Sequence, residues 1–208
     1  MAEIMLECQG LPCPQPVLRC KRCIEESAPD ELVVVVDNDP ARENVSRFLA
    51  SKGYTITSVE PDNGSFRITA GKGSGAPAEC RVCAPLDEQE IHGPAGPGKT
   101  LVFIPSGTMG SGNDELGARL MHNLLATLPE MGPELWRLVL VNSGVTLAVA
   151  GSPALESLEK LDRAGVSILV CGTCLEFFGL TKTKAVGQTT NMLDIVTSCQ
   201  LADKVIRI

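Results

Sequence analysis

The first 70 residues alternate between short apolar runs and segments whose apolar residues recur at helical spacing. Continuous Val, Ile and Leu indicate buried strands, and a spacing of three and four residues indicates helices. The predicted elements are strand Ile4–Cys8, helix Pro14–Ala28, strand Leu32–Asp37, helix Pro40–Lys52, and strands Tyr54–Glu60 and Ser65–Ala70 around the turn Pro61–Gly64. This β-α-β-α-β-β order predicts a two-layer α/β sandwich, with Asp39 as the cap of the second helix.

The last 110 residues repeat a strand-then-helix pattern with strands that are apolar throughout. Such strands are typical of a parallel sheet covered by helices on both faces, which is a three-layer α/β architecture. The predicted strands are Leu101–Pro105, Leu135–Val141, Val166–Cys171 and Lys204–Ile208, and the predicted helices are Asn113–Leu128, Val145–Ala150, Ala154–Ala164, a short one near Leu175, and Asn191–Cys199.

The stretch between these two patterns has no apolar period of either kind. It is composed of Gly, Pro, Ala and charged residues, which is typical of a flexible linker. The sequence therefore predicts one domain at residues 1–72, a linker at 73–98 and a second domain at 99–208.

Composition and charge exclude several classes of partner. The chain of 208 residues is 44% apolar but only 3% aromatic, so its cores must be built from aliphatic side chains. Its formal net charge of −7 repels phosphate backbones and anionic lipids, so no nucleic-acid or membrane partner is expected. No apolar run approaches the roughly 18 residues of a membrane span, and the first ten residues do not resemble a signal peptide. We expect a cytoplasmic location.

Cysteine is the residue type that carries candidate chemistry. Nine cysteines in an unexported chain are expected to stay reduced, as thiols, redox groups or metal ligands. Six of them form Cys-x-x-Cys pairs at Cys20/Cys23, Cys80/Cys83 and Cys171/Cys174.

Cys13 has the clearest chemical signal, because it stands in the run Cys-Pro-Gln-Pro at the predicted start of the first helix. The prolines Pro14 and Pro16 are tolerated there, since first-turn amides have no intrahelical partner. The positive end of the helix dipole favours a thiolate over a thiol at the predicted N-cap position of Cys13. The alternative is a buried, inert cysteine.

The other pairs are more open to interpretation. Cys171 and Cys174 are predicted at a strand-to-helix turn at the carboxyl end of a parallel strand, where ligands bind in such sheets. Cys20 shares an apolar helix stripe and is expected in the core. Cys80 and Cys83 lie in the linker, where they could relay sulfur or, with two further ligands such as His92, hold zinc.

Residues 3–72 resemble the TusA/SirA family of small sulfur-relay proteins. The resemblance rests on the run Gly10–Val17, on the loop Asp37–Ala41 and on the β-α-β-α-β-β order. It implies that Cys13 carries a persulfide delivered by a cysteine desulfurase or a rhodanese-type donor to an acceptor protein. It implies no cofactor beyond a transient cysteine persulfide or selenopersulfide.

Residues 99–208 resemble the DsrE-like domains. The matching stretches are Pro105–Gly107, Asn142–Val145 and Cys171–Leu175. The two-domain layout is that of the YedF-like family, whose name implies selenium or sulfur metabolism. DsrE-like proteins commonly self-associate, so the resemblance implies a homo-oligomer formed through the C-terminal domain.

Three function classes remain open at this point. The first is a sulfurtransferase-like carrier with Cys13 as the acceptor and Cys171/Cys174 as a second thiol site. The second is a thiol-disulfide redox or regulatory module acting through Cys171/Cys174, and the third is a metal-binding scaffold. Gly93–Thr100 matches the phosphate-loop pattern, but its prolines and the strand predicted after it argue against nucleotide binding.

Overall fold

A computed structural model describes residues 3–62, 64–73 and 98–208 of the chain. These residues belong to two compact units, one within Met1–Asp87 and the other within Glu88–Ile208.

The N-terminal unit has the predicted order of elements. Its four strands form one sheet in the order β1-β2-β4-β3, in which β1 and β2 are parallel and the other pairs are antiparallel. The elements are β1 (Glu3–Glu7), α1 (Gln15–Ser27), β2 (Glu31–Val36), α2 (Asp39–Ser51), β3 (Tyr54–Asp62) and β4 (Ser65–Lys72). Asn63, between β3 and β4 in the sequence, lies outside the described residues.

The cap of α2 differs from the prediction. Asn38, not Asp39, is the N-cap residue, and its side-chain oxygen accepts a hydrogen bond from the Ala41 amide at 2.8 Å. Asp39 is the first helical residue, so Pro40 occupies the second position. Proline is tolerated there because the amide that it lacks would have had no partner within the helix.

The core of the N-terminal unit is centred on β2, where every residue from Leu32 to Val36 is at most 4% exposed. The helices contribute residues three or four positions apart, including Val17 and Cys20 from α1 and Val45 and Leu49 from α2. Cys20 is fully buried, as the helical pattern predicted.

The C-terminal unit is a five-stranded parallel sheet with the strand order β8-β7-β6-β5-β9. Its strands are β5 (Thr100–Ile104), β6 (Leu135–Leu140), β7 (Ser167–Cys171), β8 (Gln188–Thr190) and β9 (Lys204–Arg207), and its α-helices are α3 (Asp114–Thr127), α4 (Leu155–Arg163), α5 (Gly172–Phe177) and α6 (Met192–Leu201). The mixed α/β fold class and the parallel C-terminal sheet are confirmed.

Two elements of this unit depart from the predictions. The segment predicted as a helix at Val145–Ala150 is a 3-10 turn that begins earlier, at Asn142–Ala148. Strand β8 was not predicted, because its three residues are polar. Thr189 is nevertheless buried, and its hydroxyl accepts a hydrogen bond from the Lys184 ammonium at 2.8 Å.

The single tryptophan lies near the amino end of β6. The guanidinium carbon of Arg137 lies 4.1 Å from the centroid of the Trp136 ring, and Lys99 Nζ lies 5.7 Å from it. Arg137 is itself buried and donates a hydrogen bond to the hydroxyl of Ser198 at 2.6 Å. This cationic and aromatic cluster joins β6 to α6.

Three thiols of the N-terminal unit lie close together: Cys20 and Cys23 on α1, and Cys8 just after β1. Burial raises the pKa of Cys20, and the neighbouring thiols of Cys8 and Cys23 raise it further. Burial also raises the pKa of Cys8, although the Arg19 guanidinium partly offsets this effect. The folded unit therefore favours the protonated form of Cys8 and Cys20.

We predict that the N-terminal unit loses stability as the pH rises above about 8.5, the ordinary pKa of an unfolded thiol. Above that pH an unfolded Cys20 has lost its proton while the folded one retains it. The stabilising contribution is complete below the unfolded pKa and is lost as the pH rises toward the raised folded value. Each such thiol contributes a slope of up to about 1.4 kcal/mol per pH unit.

The slope is measured by unfolding the full chain in urea at several pH values. Protease cleavage within β2 detects the unfolded N-terminal unit. The Cys20→Ala variant should show a shallower slope than the wild type. Cys199→Ala, in the other unit, is the control and should leave the slope unchanged. Equal slopes for wild type and Cys20→Ala would contradict the prediction.

Candidate functional site

Cys13 is exposed on the loop that joins β1 to α1. The sequence predicted Cys13 at the N-cap, but the N-cap residue is Pro14, so Cys13 lies one residue further from the helix. The shift arises because the carbonyl of Pro12 accepts the Gln15 amide at 2.8 Å, which closes a turn before the helix starts. The Cys13–Pro14 peptide bond is cis.

The loop that carries Cys13 is fastened to the loop between β2 and α2. Gly10, at φ +68°, donates its backbone N–H to Asp37 Oδ2 at 2.5 Å. The side-chain amide of Asn38 donates to the other carboxylate oxygen of Asp37 at 3.0 Å. Asp37 is thus oriented by the residue that caps α2, and it holds the backbone three residues before Cys13.

The basic residues on α1 make contacts within the unit. The Arg19 guanidinium donates to the carbonyl of Glu7 at 2.8 Å, and Lys21 forms an ion pair with Glu25 at 3.8 Å. Arg22 is exposed. These contacts favour a solvated helix face over a dedicated docking surface for an acidic partner.

A second group of polar residues lies at the carboxyl edge of the C-terminal sheet. Because β5, β6 and β7 are parallel neighbours, the segments that follow them meet at this edge. The Gly107 amide, after β5, donates to the hydroxyl of Ser143, after β6, at 3.3 Å. The hydroxyls of Ser106 and Thr108 are hydrogen-bonded at 3.2 Å.

Cys171 and Cys174 belong to the segment that follows β7 at the same edge. Cys171 ends the strand and is 5% exposed, whereas Cys174 lies in α5 and is half-buried. The backbone N–H of Asn142, after β6, donates to Cys174 Sγ at an N–S distance of 3.1 Å. Phe177, one helical turn beyond Cys174, is 83% exposed.

The glycine-rich loop between β5 and α3 packs closely against the first turns of the helix. A Cβ at Gly117 would lie 3.0 Å from the carbonyl oxygen of Met109 and from the Cβ of Thr108. Asn113 caps α3 by accepting the Leu116 amide at 2.9 Å, and Asp114 and Glu115 occupy the first turn. The acidic side chains disfavour an anion at this helix start.

The remaining candidates lie largely outside the described residues. Cys80, Cys83 and His92 belong to that part of the chain, as do residues 93–97 of the phosphate-loop pattern. The pattern ends at Thr100, which begins strand β5 rather than a helix. Within residues 3–62, 64–73 and 98–208, no group of three or more His, Cys, Asp or Glu side chains is placed to hold a metal ion.

Asp37 and Asn142 are the residues at these sites that sequence reasoning missed. Both belong to motifs noted in the sequence, but no role was predicted for either. Asp37 contacts Gly10 across 27 positions, and Asn142 contacts Cys174 across 32. Their only sequence signal is that each follows an apolar strand, and that signal does not identify the partner.

None of the helices in the described part of the chain is both long and apolar enough to span a membrane.

Comparison with known proteins gives a match for each unit. Residues 4–72 match the family "Sulfurtransferase TusA", and residues 108–208 match the "DsrE/DsrF-like family". The "Putative sulfur carrier protein" of Methanocaldococcus jannaschii is 43% identical over 68 residues, which are 32% of this chain and 91% of that protein. A protein of the same name from Archaeoglobus fulgidus is 38% identical over 47 residues, 23% of this chain and 61% of that protein.

Two solved structures are also similar. The SirA-like protein from Desulfitobacterium hafniense is 31% identical, with a TM-score of 0.31, over 35% of this chain and 100% of that chain. The ychN protein from E. coli is 19% identical, with a TM-score of 0.44, over 53% of this chain and 99% of that chain. The extent and identity of the sequence matches show that the chain belongs to the TusA family of sulfur carriers through its N-terminal unit and continues into a DsrE/DsrF-like unit.

Proposed function

We propose that this protein is a persulfide carrier in sulfur or selenium metabolism, in which Cys13 accepts a sulfane sulfur atom and passes it on. The observation that carries the proposal is an exposed thiol on a fastened loop, within the segment that matches known sulfur-carrier proteins. Cys171 and Cys174 form a second thiol site in the same chain. The two-unit layout is compatible with YedF-like proteins of selenium metabolism.

The transfer step needs a thiolate and a persulfide donor, such as a cysteine desulfurase or a rhodanese-type enzyme. The Cys13 thiolate attacks the outer sulfur of the donor's cysteine persulfide. A bond forms between that sulfur and Cys13 Sγ, the sulfur–sulfur bond of the donor breaks, and the donor cysteine leaves as a thiolate. The proton stays on the transferred sulfur, so the exchange involves no net oxidation and needs no cofactor.

A second exchange of the same type transfers the sulfur atom from Cys13 to the acceptor protein. A thiolate of the acceptor protein attacks the outer sulfur on Cys13, and Cys13 returns to its thiolate form. The exposure of Cys13 favours such an exchange between proteins, because both partners must reach the same sulfur atom.

Self-association through the C-terminal unit is part of the same proposal. Exposed apolar side chains on α3 and α6 offer surface that a second copy would cover, and they include Leu116, Leu120, Met192 and Val196.

We predict that the wild-type chain gains the mass of one sulfur atom when it is incubated with a cysteine desulfurase and cysteine. The gain should disappear on treatment with a reductant and should be absent from Cys13→Ser. Intact-mass spectrometry of the full chain measures both. Cys23→Ser, which alters a half-buried thiol of the same unit, is the matched control and should load normally.

An absence of loading in the wild type, with either donor class, would contradict the carrier proposal. It would favour the alternative of a redox module acting through Cys171 and Cys174. Loading that persists in Cys13→Ser would show that another cysteine is the acceptor.

We also predict that Asp37→Ala slows the loading of Cys13 by roughly fivefold, the effect of losing a charge-assisted hydrogen bond at an exposed position. Without the carboxylate, Gly10 is released and the Cys13 loop loses its fixed orientation. The rate of mass gain under a fixed donor concentration measures this change.

Asp39→Ala is the control for that experiment. Asp39 lies two residues after Asp37, at the start of α2, but its carboxylate pairs with Arg42 at 3.0 Å. The control removes one negative charge from the same region and should load at the wild-type rate. Equal slowing in both variants would attribute the effect to charge rather than to the Gly10 contact.

A further inference from the structure

The two cysteines of the C-terminal unit have different surroundings. Cys171 is the last residue of β7 and is 5% exposed, so little of its surface is open to a protein partner. Cys174 is half-buried in α5, and its sulfur accepts the backbone N–H of Asn142 at 3.1 Å. This hydrogen bond links the Cys174 sulfur to the segment that follows β6.

The amide of Asn142 is held in place by an uncommon backbone conformation. Asn142 has φ +49°, in the left-handed region that asparagine tolerates better than most other residues with a side chain. It directly follows Val141, whose amide donates to the carbonyl of Ile104 at 3.1 Å, and it starts the 3-10 turn Asn142–Ala148. The direction of its N–H is therefore fixed by the end of β6.

Gly144 sets how closely this turn approaches the sheet. A Cβ at Gly144 would lie 2.3 Å from the carbonyl oxygen of Ile104, a separation that real structures do not show. The amide of Gly144 also donates to the carbonyl of Val141 at 2.9 Å. Any side chain at this position would push the turn away from β5 and move the neighbouring Asn142 amide with it.

We propose that Cys174 is the sulfur-accepting thiol of the C-terminal unit, and that Asn142 is a positioning residue whose backbone amide, placed by the close approach at Gly144, holds the Cys174 sulfur ready to react. The inference rests on the proposed function and adds a division of roles within the Cys171/Cys174 pair. Cys174 attacks the outer sulfur of an incoming persulfide. The new sulfur–sulfur bond forms on Cys174 as the donor's own bond breaks and the donor leaves as a thiolate.

Alkylation of the full chain by iodoacetamide at neutral pH tests the positioning role without any sulfur donor. The Cys174 thiolate displaces iodide, and peptide mass spectrometry gives the rate at each cysteine. The rate at Cys174 is divided by the rate at Cys199, a half-buried thiol on α6, so that differences in reagent and pH cancel. In the wild type we expect Cys174 to react much faster than Cys171.

Four variants separate the amide from a general effect on the fold. We expect the Cys174 to Cys199 ratio to fall about tenfold in Gly144→Ala and in Asn142→Val, whose branched side chain disfavours a positive φ. Asn142→Gly keeps the amide and the backbone conformation and should retain the wild-type ratio. Gly98→Ala, where a Cβ meets only an ordinary contact at 3.7 Å, should also retain it.

The inference is overturned if Cys171 is alkylated faster than Cys174 in the wild type. It is also overturned if the Cys174 to Cys199 ratio is unchanged in a folded Asn142→Val. If Gly144→Ala does not fold, the comparison of Asn142→Val with Asn142→Gly decides the question, because both retain Gly144. A fall of the Cys174 to Cys199 ratio in Asn142→Gly as well would show that the effect comes from the Asn142 side chain and not from its backbone amide. That result would also overturn the inference.

The alkylation result is distinguishable from the proposed function. If the ratios behave as expected but the desulfurase loads no sulfur anywhere, the positioning of Cys174 stands and the carrier role fails. If sulfur is loaded on Cys13 but the ratios do not respond to the variants, the carrier role stands and the inference fails.

Discussion

Burial of the central strands on both faces is the constraint on which both units depend. In β2 every residue from Leu32 to Val36 is nearly inaccessible, and Leu138–Leu140 in β6 and Ile168–Val170 in β7 are at most 1% exposed. Such burial leaves few exposed positions along a strand, although β6 accommodates the buried Arg137, whose guanidinium donates to Ser198. The less buried thiols of Cys13 and Cys174 lie in the segments that follow β1 and β7.

Both thiol sites use the same structural relationship between neighbouring parallel strands. Cys13 follows β1, and the carboxylate that fastens its loop, on Asp37, follows the adjacent parallel strand β2. Cys174 follows β7, and the amide of Asn142 follows its parallel neighbour β6. Because parallel neighbours end at the same edge of a sheet, a residue after one strand reaches the segment after the next. The donor is a backbone amide in both cases, but the thiol receives it directly only in the C-terminal unit.

The sequence was sufficient for the elements whose residues are apolar and periodic. It predicted the order of the N-terminal unit, the parallel C-terminal sheet and the position of Cys171 at the end of a strand, because each is determined by local burial. It did not predict β8, whose residues Thr189 and Thr190 form hydrogen bonds with Lys184 and Asp194 and show no apolar pattern. The predicted cap of α2 was Asp39, whereas the cap in the structure is Asn38. Either side chain can accept the capping hydrogen bond, and only the backbone geometry selects one.

The contacts that orient the thiols could not be predicted for a different reason. They join residues 27 and 32 positions apart, and which strands are neighbours is a property of the whole sheet rather than of any segment. The need for a glycine at position 144 could not be predicted either, because it arises from the close approach of Ile104 on another strand.

The location of the only tryptophan has a practical consequence. Trp136 is the second residue of β6, so it lies at the amino edge of the C-terminal sheet, while Cys174 lies at the carboxyl edge. Its indole ring is flanked by the positive charges of Arg137 and Lys99, which tie its emission to the local packing of that edge. The intact chain thus has an intrinsic fluorophore that reports on the folding of the C-terminal unit from the edge of the sheet opposite Cys174.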